Sequence, residues 1–265
     1  MKVAILQGSP NKNGVTATMT QSFARGLEAG GASVVVLNAY DLKVERCCGT
    51  MACWKKTPGV CCIKDDMRLV LDQLNGTDVL VLASPVYTDG MTAALKAVLD
   101  RTIPLGQPFL SLRNGVCRHE VRKGIKPPKQ IVLISNCGFH EIENFDSLVK
   151  HVQELAKNFG AEFSGALLRP HGPALAAMQK LPVEKARLKA QRVLDAVMKA
   201  GRDLAIGGEI SQEVMAEVSV ELLPQQAYIL NANTAFHAEI AKGRLEKLKE
   251  YFVNPFGKPV SPVPV

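Results

Sequence analysis

The chain has 265 residues, 47% of them apolar, and a formal net charge of +7. That length is generous for one domain and short for two, and the apolar share supports a sizeable core. The positive charge is spread out, with no consecutive basic block and little aromatic interleaving, which argues against nucleic-acid binding; no apolar stretch reaches a membrane span.

In chain order, Met1–Gly8 lacks the apolar core and small-residue cleavage site of a signal peptide, so a cytoplasmic location is expected. Val3–Gln7 reads as a strand and Val15–Ala29 as a helix. Ser33–Asn38 reads as a second strand, Asp66–Leu74 as a short helix and Asp78–Ala83 as a third strand. Thr92–Arg101 is helical, Gln130–Ser135 a fourth strand, Phe145–Phe159 a helix and Glu162–Leu168 a fifth strand. This alternation predicts a doubly wound, flavodoxin-like α/β fold: a five-stranded parallel sheet with a ligand at the carboxyl ends of its strands. Leu105–Pro128 reads as a long loop carrying Arg118, His119, Arg122 and Lys123, which either meet nucleotide phosphates or are solvated.

After Pro170 and Pro173 the pattern becomes helical, with Val183, Ala186, Ala190, Val193, Val197 and Ala200 in one stripe. Ser211 reads as the N-cap of a further helix, Ala227–Phe252 as another, and Asn254–Val265 as an extended tail. The expected division is therefore 1–172, a ligand-binding domain, and 173–265, a helical C-terminal extension. The five strands suffice for a core without the extension, so its stripe is expected on the domain edge or on a partner subunit.

Gly8-Ser9-Pro10-Asn11-Lys12-Asn13-Gly14-Val15-Thr16 joins the first strand to the first helix. Backbone N–H groups and the helix's positive end make such a junction an anion site, and Ser9 and Thr16 add hydroxyls. The same residues also suit a capped helix after a turn. Neither a nucleoside-triphosphatase loop nor a dinucleotide fingerprint is present. Two more loops fall at the same edge, Ser84–Met91 and Asn136–His140, whose amides and Tyr87 ring suit a planar heteroaromatic group.

These motifs, Gly8-Ser9-Pro10, Asn13-Gly14-x-Thr16, Ser84-Pro85-Val86-Tyr87 and Lys96-x-x-x-Asp100-Arg101, resemble the flavodoxin-like NAD(P)H-dependent FMN reductases and iron–sulfur flavoproteins over roughly residues 1–168. The resemblance implies that Ser9, Asn13, Gly14, Val15 and Thr16 surround an FMN phosphate, with Val15 standing where the family often has Asn. It places Pro85, Val86, Tyr87, Thr88 and Gly90 on one side of the flavin ring, and Asn136, Cys137 and Gly138 on another. It implies an oxidoreductase passing electrons from NAD(P)H through FMN to a quinone-like small molecule or a protein acceptor, in a homodimer or homotetramer. No protein side chain need be catalytic, because the flavin carries the chemistry. The alternative is an FMN electron-transfer protein reduced by a protein partner, without a nicotinamide site; a third reading is a scaffold that has lost its flavin.

Five of the seven cysteines crowd into Cys47–Cys62. The iron–sulfur branch carries Cys-x-x-Cys-x-x-Cys and a fourth Cys shortly before Asp-Asp-Met. Here Cys47, Cys53 and Cys61 match, but Thr50 stands at the second ligand position. A hydroxyl is a poor ligand for a soft metal, so no iron–sulfur cluster is expected, with Cys48 and Cys62 as the only substitutes. Zinc is a further possibility. Of the histidines, His140 lies beside the third loop, whereas His151, His171 and His237 read as structural or turn residues, and Asp65-Asp66 as a helix cap.

Overall fold

The computed structural model describes residues 1–253. Strand β1 (Lys2–Gln7) leads to helix α1 (Val15–Ala29), β2 (Ser33–Asn38), a single turn α2 (Ala52–Lys55), α3 (Met67–Leu74), β3 (Val79–Pro85) and α4 (Ala93–Asp100). Strands β4 (Gly106–Arg113) and β5 (Val116–Val121) follow, then β6 (Gln130–Asn136), α5 (Asp146–Phe159) and β7 (Glu162–Arg169). The remainder is helical: α6 (Gly172–Lys180), α7 (Glu184–Gly207), α8 (Gln212–Ser219) and α9 (Gln225–Val253).

The five expected strands form one parallel sheet in the order β2-β1-β3-β6-β7. This is the flavodoxin-like order, and β3 and β6, buried on both faces, are near-continuous apolar runs for that reason. Right-handed crossovers place α1, which returns from β1 to β2, on one face, and α3, α4 and α5 on the other. On the second face Met67, Val70, Leu95, Val98, Leu148 and Val152 pack over Leu80, Leu82, Ile131 and Leu133.

The first face is where the structure departs from expectation. The extension does not wait for the domain edge: α7 lies along α1, and its Ala190, Val193, Val197 and Ala200 are buried. The backbones meet at two glycines. A Cβ on Gly26 would lie 1.9 Å from Met198 O, and one on Gly201 would lie 2.2 Å from Phe23 O. Only glycine fits a helix crossing this close. Helix α8, capped as expected by Ser211 Oγ accepting from Val214 N at 3.3 Å, packs on edge strand β7. The core is thus incomplete without residues beyond 172.

The expected long loop at 105–128 is also corrected, because most of it is an antiparallel hairpin. Arg113 pairs with Val116 around Asn114-Gly115, both at positive φ. Asn-Gly is the preferred pair for this two-residue turn, a signal the basic residues around it obscured. Two of those residues have structural partners: Arg118 lies 3.7 Å from Glu154, and Arg122 donates to Pro104 O and Gly106 O at 3.0 and 2.9 Å.

The chain divides into two compact units, Met1–Leu222 and Leu223–Val265, and the 172/173 division read from the sequence falls inside the first. The second unit contains α9, a 29-residue helix with Leu230, Phe236 and Ile240 exposed. The expected tail at 254–265 lies outside the described residues. No helix among the described residues is long and apolar enough to cross a membrane.

Candidate functional site

Three loops meet at the carboxyl edge of the sheet. The first, Gly8–Gly14, is stapled to the centre of the fold: Gly8 N donates to Ala83 O and Thr92 Oγ1 donates to Gly8 O, both at 2.7 Å. A Cβ on Gly8 would sit 2.7 Å from Leu95 Cβ, so the loop can lie this deep only with glycine there. Ser9 is buried, its hydroxyl 3.3 Å from the backbone N and O of Asn11. Asn13 N donates to Asn11 Oδ1 at 3.0 Å, and Gly14 N to Asn11 O at 3.1 Å. Gly14 is the extended N-cap of α1, and among the described residues no side chain caps that end. The unpaired N–H groups of Val15, Thr16 and Ala17 carry the helix's positive pole at the sheet edge.

The second loop, Pro85–Gly90, closes on itself, with Tyr87 N donating to Gly90 O at 2.9 Å and Gly90 N to Tyr87 O at 3.1 Å. Its central pair, Thr88 (φ 48°) and Asp89 (φ 58°), is left-handed. A β-branched residue there costs energy that Asn-Gly would not, so the turn is held by its surroundings. Tyr87, Thr88 and Asp89 are exposed, whereas Pro85 and Val86 are half-buried.

The third loop starts at Asn136 and ties the other two together. Val86 N donates to Asn136 O at 2.9 Å, and Asn136 Nδ2 donates to Thr16 Oγ1 at 2.6 Å. Thr16 thereby accepts with its oxygen, leaving its hydroxyl proton for another acceptor. Gly172 makes room for Asn136, since a Cβ there would lie 2.8 Å from Asn136 Oδ1. Cys137 is buried, and burial pushes its thiol up; Gly138 and Phe139 are exposed.

Sequence reasoning missed what supports this third loop. Cys137 N donates to Arg169 O at 3.2 Å, Gly172 N to Cys137 O at 2.9 Å and His171 N to Phe139 O at 2.6 Å. Arg169 is wholly buried and donates to Val218 O and Val220 O, both at 2.7 Å, and to Pro170 O at 2.8 Å. It therefore caps the C-terminal end of α8, and burial without a carboxylate lowers it to about 10. His171, read as a turn residue, is buried; its Nε2 accepts from Leu222 N at 3.0 Å and lies 3.3 Å from Arg169 Nη2. Burial, then the Arg169 charge, lowers His171 to about 4, and its ring stacks on His140 at 4.7 Å. The available signal was an arginine directly after the apolar run Gly165–Leu168.

The cysteine loop forms a second cluster. Cys47, Cys48, Cys53, Cys61, Cys62 and Thr50 border one pocket of about 20 Å³, and Thr50 Oγ1 lies 3.8 Å from Cys62 Sγ. Burial, and then the neighbouring Cys61, push the Cys53 thiol up. Arg101 fixes the loop's end by donating to both oxygens of Asp65 at 2.8 and 2.9 Å. Asp65 Oδ1 also accepts from Met67 N at 3.1 Å, while Asp66, the N-cap of α3, makes no side-chain cap bond and accepts from Lys43 N. Among the described residues no group of three or more His, Cys, Asp or Glu is arranged to hold a metal ion. With a hydroxyl at position 50, a four-thiolate cluster would need Cys48 or Cys62 as its fourth ligand.

The fold and these edge loops define a flavodoxin-like α/β protein whose first helix opens at the sheet edge without a side-chain cap. The family described as NADPH-dependent FMN reductase matches residues 1–114 of this chain. An iron–sulfur flavoprotein of Methanocaldococcus jannaschii is 34% identical over 116 residues, 44% of this chain and 58% of that protein. One from Archaeoglobus fulgidus is 34% identical over 43% of this chain and 52% of that protein. The chain thus spans little more than half the length of these curated relatives. Among solved structures, an NAD(P)H:quinone oxidoreductase from Methanothermobacter marburgensis has a TM-score of 0.53 at 16% identity, covering 77% of this chain and 96% of that one. An FMN-dependent NADH-azoreductase from Bacillus anthracis, solved with FMN, has 0.55 at 16% identity over 77% and 100%. At such identities the likeness concerns the fold alone.

Proposed function

We propose that this protein is an FMN-dependent oxidoreductase that takes electrons from NAD(P)H and passes them to a small, quinone-like acceptor. The observation that carries this reading is the chain of bonds Val86 N to Asn136 O and Asn136 Nδ2 to Thr16 Oγ1, which joins three loops into one cradle. In this reading the uncapped first turn of α1, with Ser9, Asn13, Gly14, Val15 and Thr16, holds the FMN phosphate. Pro85, Val86, Tyr87, Thr88 and Gly90 face one side of the ring, and Asn136, Cys137 and Gly138 another. When bound, FMN supplies hydride and electron transfer. The chain's own task is to hold the ring, leave room for a nicotinamide to stack on it, and exclude water. The matched family's description and the name of the B. anthracis structure support FMN and a reduced nicotinamide, and the name of the M. marburgensis structure, a quinone oxidoreductase, supports this acceptor class. Seven free thiols suit a reducing cytoplasm, and a homodimer or homotetramer is the assembly we infer from the family resemblance.

The test is an absorbance spectrum of the purified protein before and after NADPH or NADH, followed by turnover with a quinone or ferricyanide. Flavin bands bleached by the nicotinamide, with sustained turnover, support the reading. A flavin that nicotinamide leaves oxidised would instead support the carrier reduced by a protein partner, and a colourless protein that takes up no FMN would overturn both.

A further inference from the structure

A cavity of about 870 Å³ opens on the α3–α4 face of the first unit, between α3, the end of α4, the residues after β5 and the cysteine loop. None of the residues assigned to the flavin borders it. Its volume is that of a small-molecule site rather than a packing gap. Val60, Ile63, Met67, Leu71, Leu105 and Ile125 supply an apolar lining.

Its charges do not balance. Lys64, Arg68, Arg101 and Arg122 border the cavity, against the carboxylates of Asp65 and Asp72 alone. Asp65 is consumed by Arg101. The Arg122 guanidinium donates from Nε and Nη2 to the backbone carbonyls of Pro104, Gly106 and Cys53, which do not cancel its charge. Lys64 and Arg68 are exposed and form no ion pair among the described residues. Arg101 is 1% exposed, yet its Nε–H makes no hydrogen bond among the described residues. A buried donor left unsatisfied is costly, and it belongs to a residue that lines the cavity next to Cys61.

We propose that this cavity is a second binding site, for a small molecule with an aromatic or aliphatic body and one anionic group, carboxylate or sulfonate. The apolar lining takes the body, and the excess cations beside α3 and β5 take the charge. Cys61 and Cys62 border both this cavity and the five-cysteine pocket, so the occupant lies against the cysteine loop.

The probe is anilinonaphthalene sulfonate, titrated by fluorescence into the full-length protein with FMN added. Saturable, stoichiometric binding is expected, together with protection of Cys61 and Cys62 from alkylation as read by peptide mass. Arg68→Glu, an exposed substitution, should weaken binding about tenfold, the size of one charged contact. Leu71→Trp, which fills the cavity, should abolish it, while FMN uptake is unchanged in both variants. Binding that FMN displaces, binding equal in wild type and both variants, or cysteines that stay unprotected would each overturn the proposal.

Discussion

Asn136 donates its side-chain amide to Thr16 Oγ1 across 120 residues of sequence, at 2.6 Å. A helix's first turn and the far end of β6 are thereby one unit, and the accepted bond restricts where Thr16's proton can point. Removing Asn136 frees that hydroxyl to rotate without deleting it. We expect Asn136→Ala and Thr16→Ala each to weaken FMN binding by about tenfold, and the double variant by less than the product. Flavin titration of the three variants reads the coupling; strictly multiplicative losses would show that the two residues act separately.

The glycine crossing of α1 and α7 makes a stability prediction. Gly26→Ala or Gly201→Ala forces the helices apart and should cost about 1–3 kcal/mol or more, as overpacking does. Urea unfolding of each variant measures this. A chain ending near residue 172 should fail to fold rather than merely lose its assembly, because α1 would present its apolar stripe to water. A soluble, cooperatively unfolding 1–172 fragment would contradict this account of the core.

Stability should fall between pH 6.5 and 4 because of His171. The folded protein keeps this imidazole neutral down to about 4, against an ordinary 6.5, since burial and the Arg169 charge both oppose its proton. The unfolded chain takes up the proton first, so the contribution is complete above pH 6.5 and is lost as the pH falls toward 4. The full difference is roughly 3 kcal/mol. His171→Gln should flatten this part of the denaturation-midpoint profile, and an unchanged slope in that variant would place the titration elsewhere.

For the cysteine loop, protein purified without oxygen should contain no stoichiometric iron and acid-labile sulfide. Thr50→Cys should gain both, because it restores the missing thiol at a position already bordering the same pocket as the other cysteines. Iron and sulfide assays on the two proteins decide it. Cluster in the unaltered chain would mean that Cys48 or Cys62 serves as the fourth ligand.

The sheet was legible because β3 and β6 are buried on both faces and their apolar runs show it, with helical periodicity between them. The three edge loops followed from where those strands end. What stayed hidden depends on long-range geometry. The α1–α7 crossing turns on Gly26 and Gly201, and no local pattern says that two glycines 175 positions apart will meet. Arg169 and His171 draw their roles from carbonyls and an amide at 218–222, which sequence spacing does not reveal. The hairpin around Asn114-Gly115 was readable, and was masked by the charges beside it.

The Arg169 cap has a consequence for how this protein is made. The guanidinium that backs the third loop donates to carbonyls of residues 170 and 218–220 and lies beside His171 Nε2. During synthesis the nascent chain completes all five strands well before those residues leave the ribosome. Until they do, Arg169 remains hydrated and the third loop lacks its backing. Ligand capture at the third loop therefore has to wait for residues 218–220, and a chain stalled before them would lack the backing that loop needs.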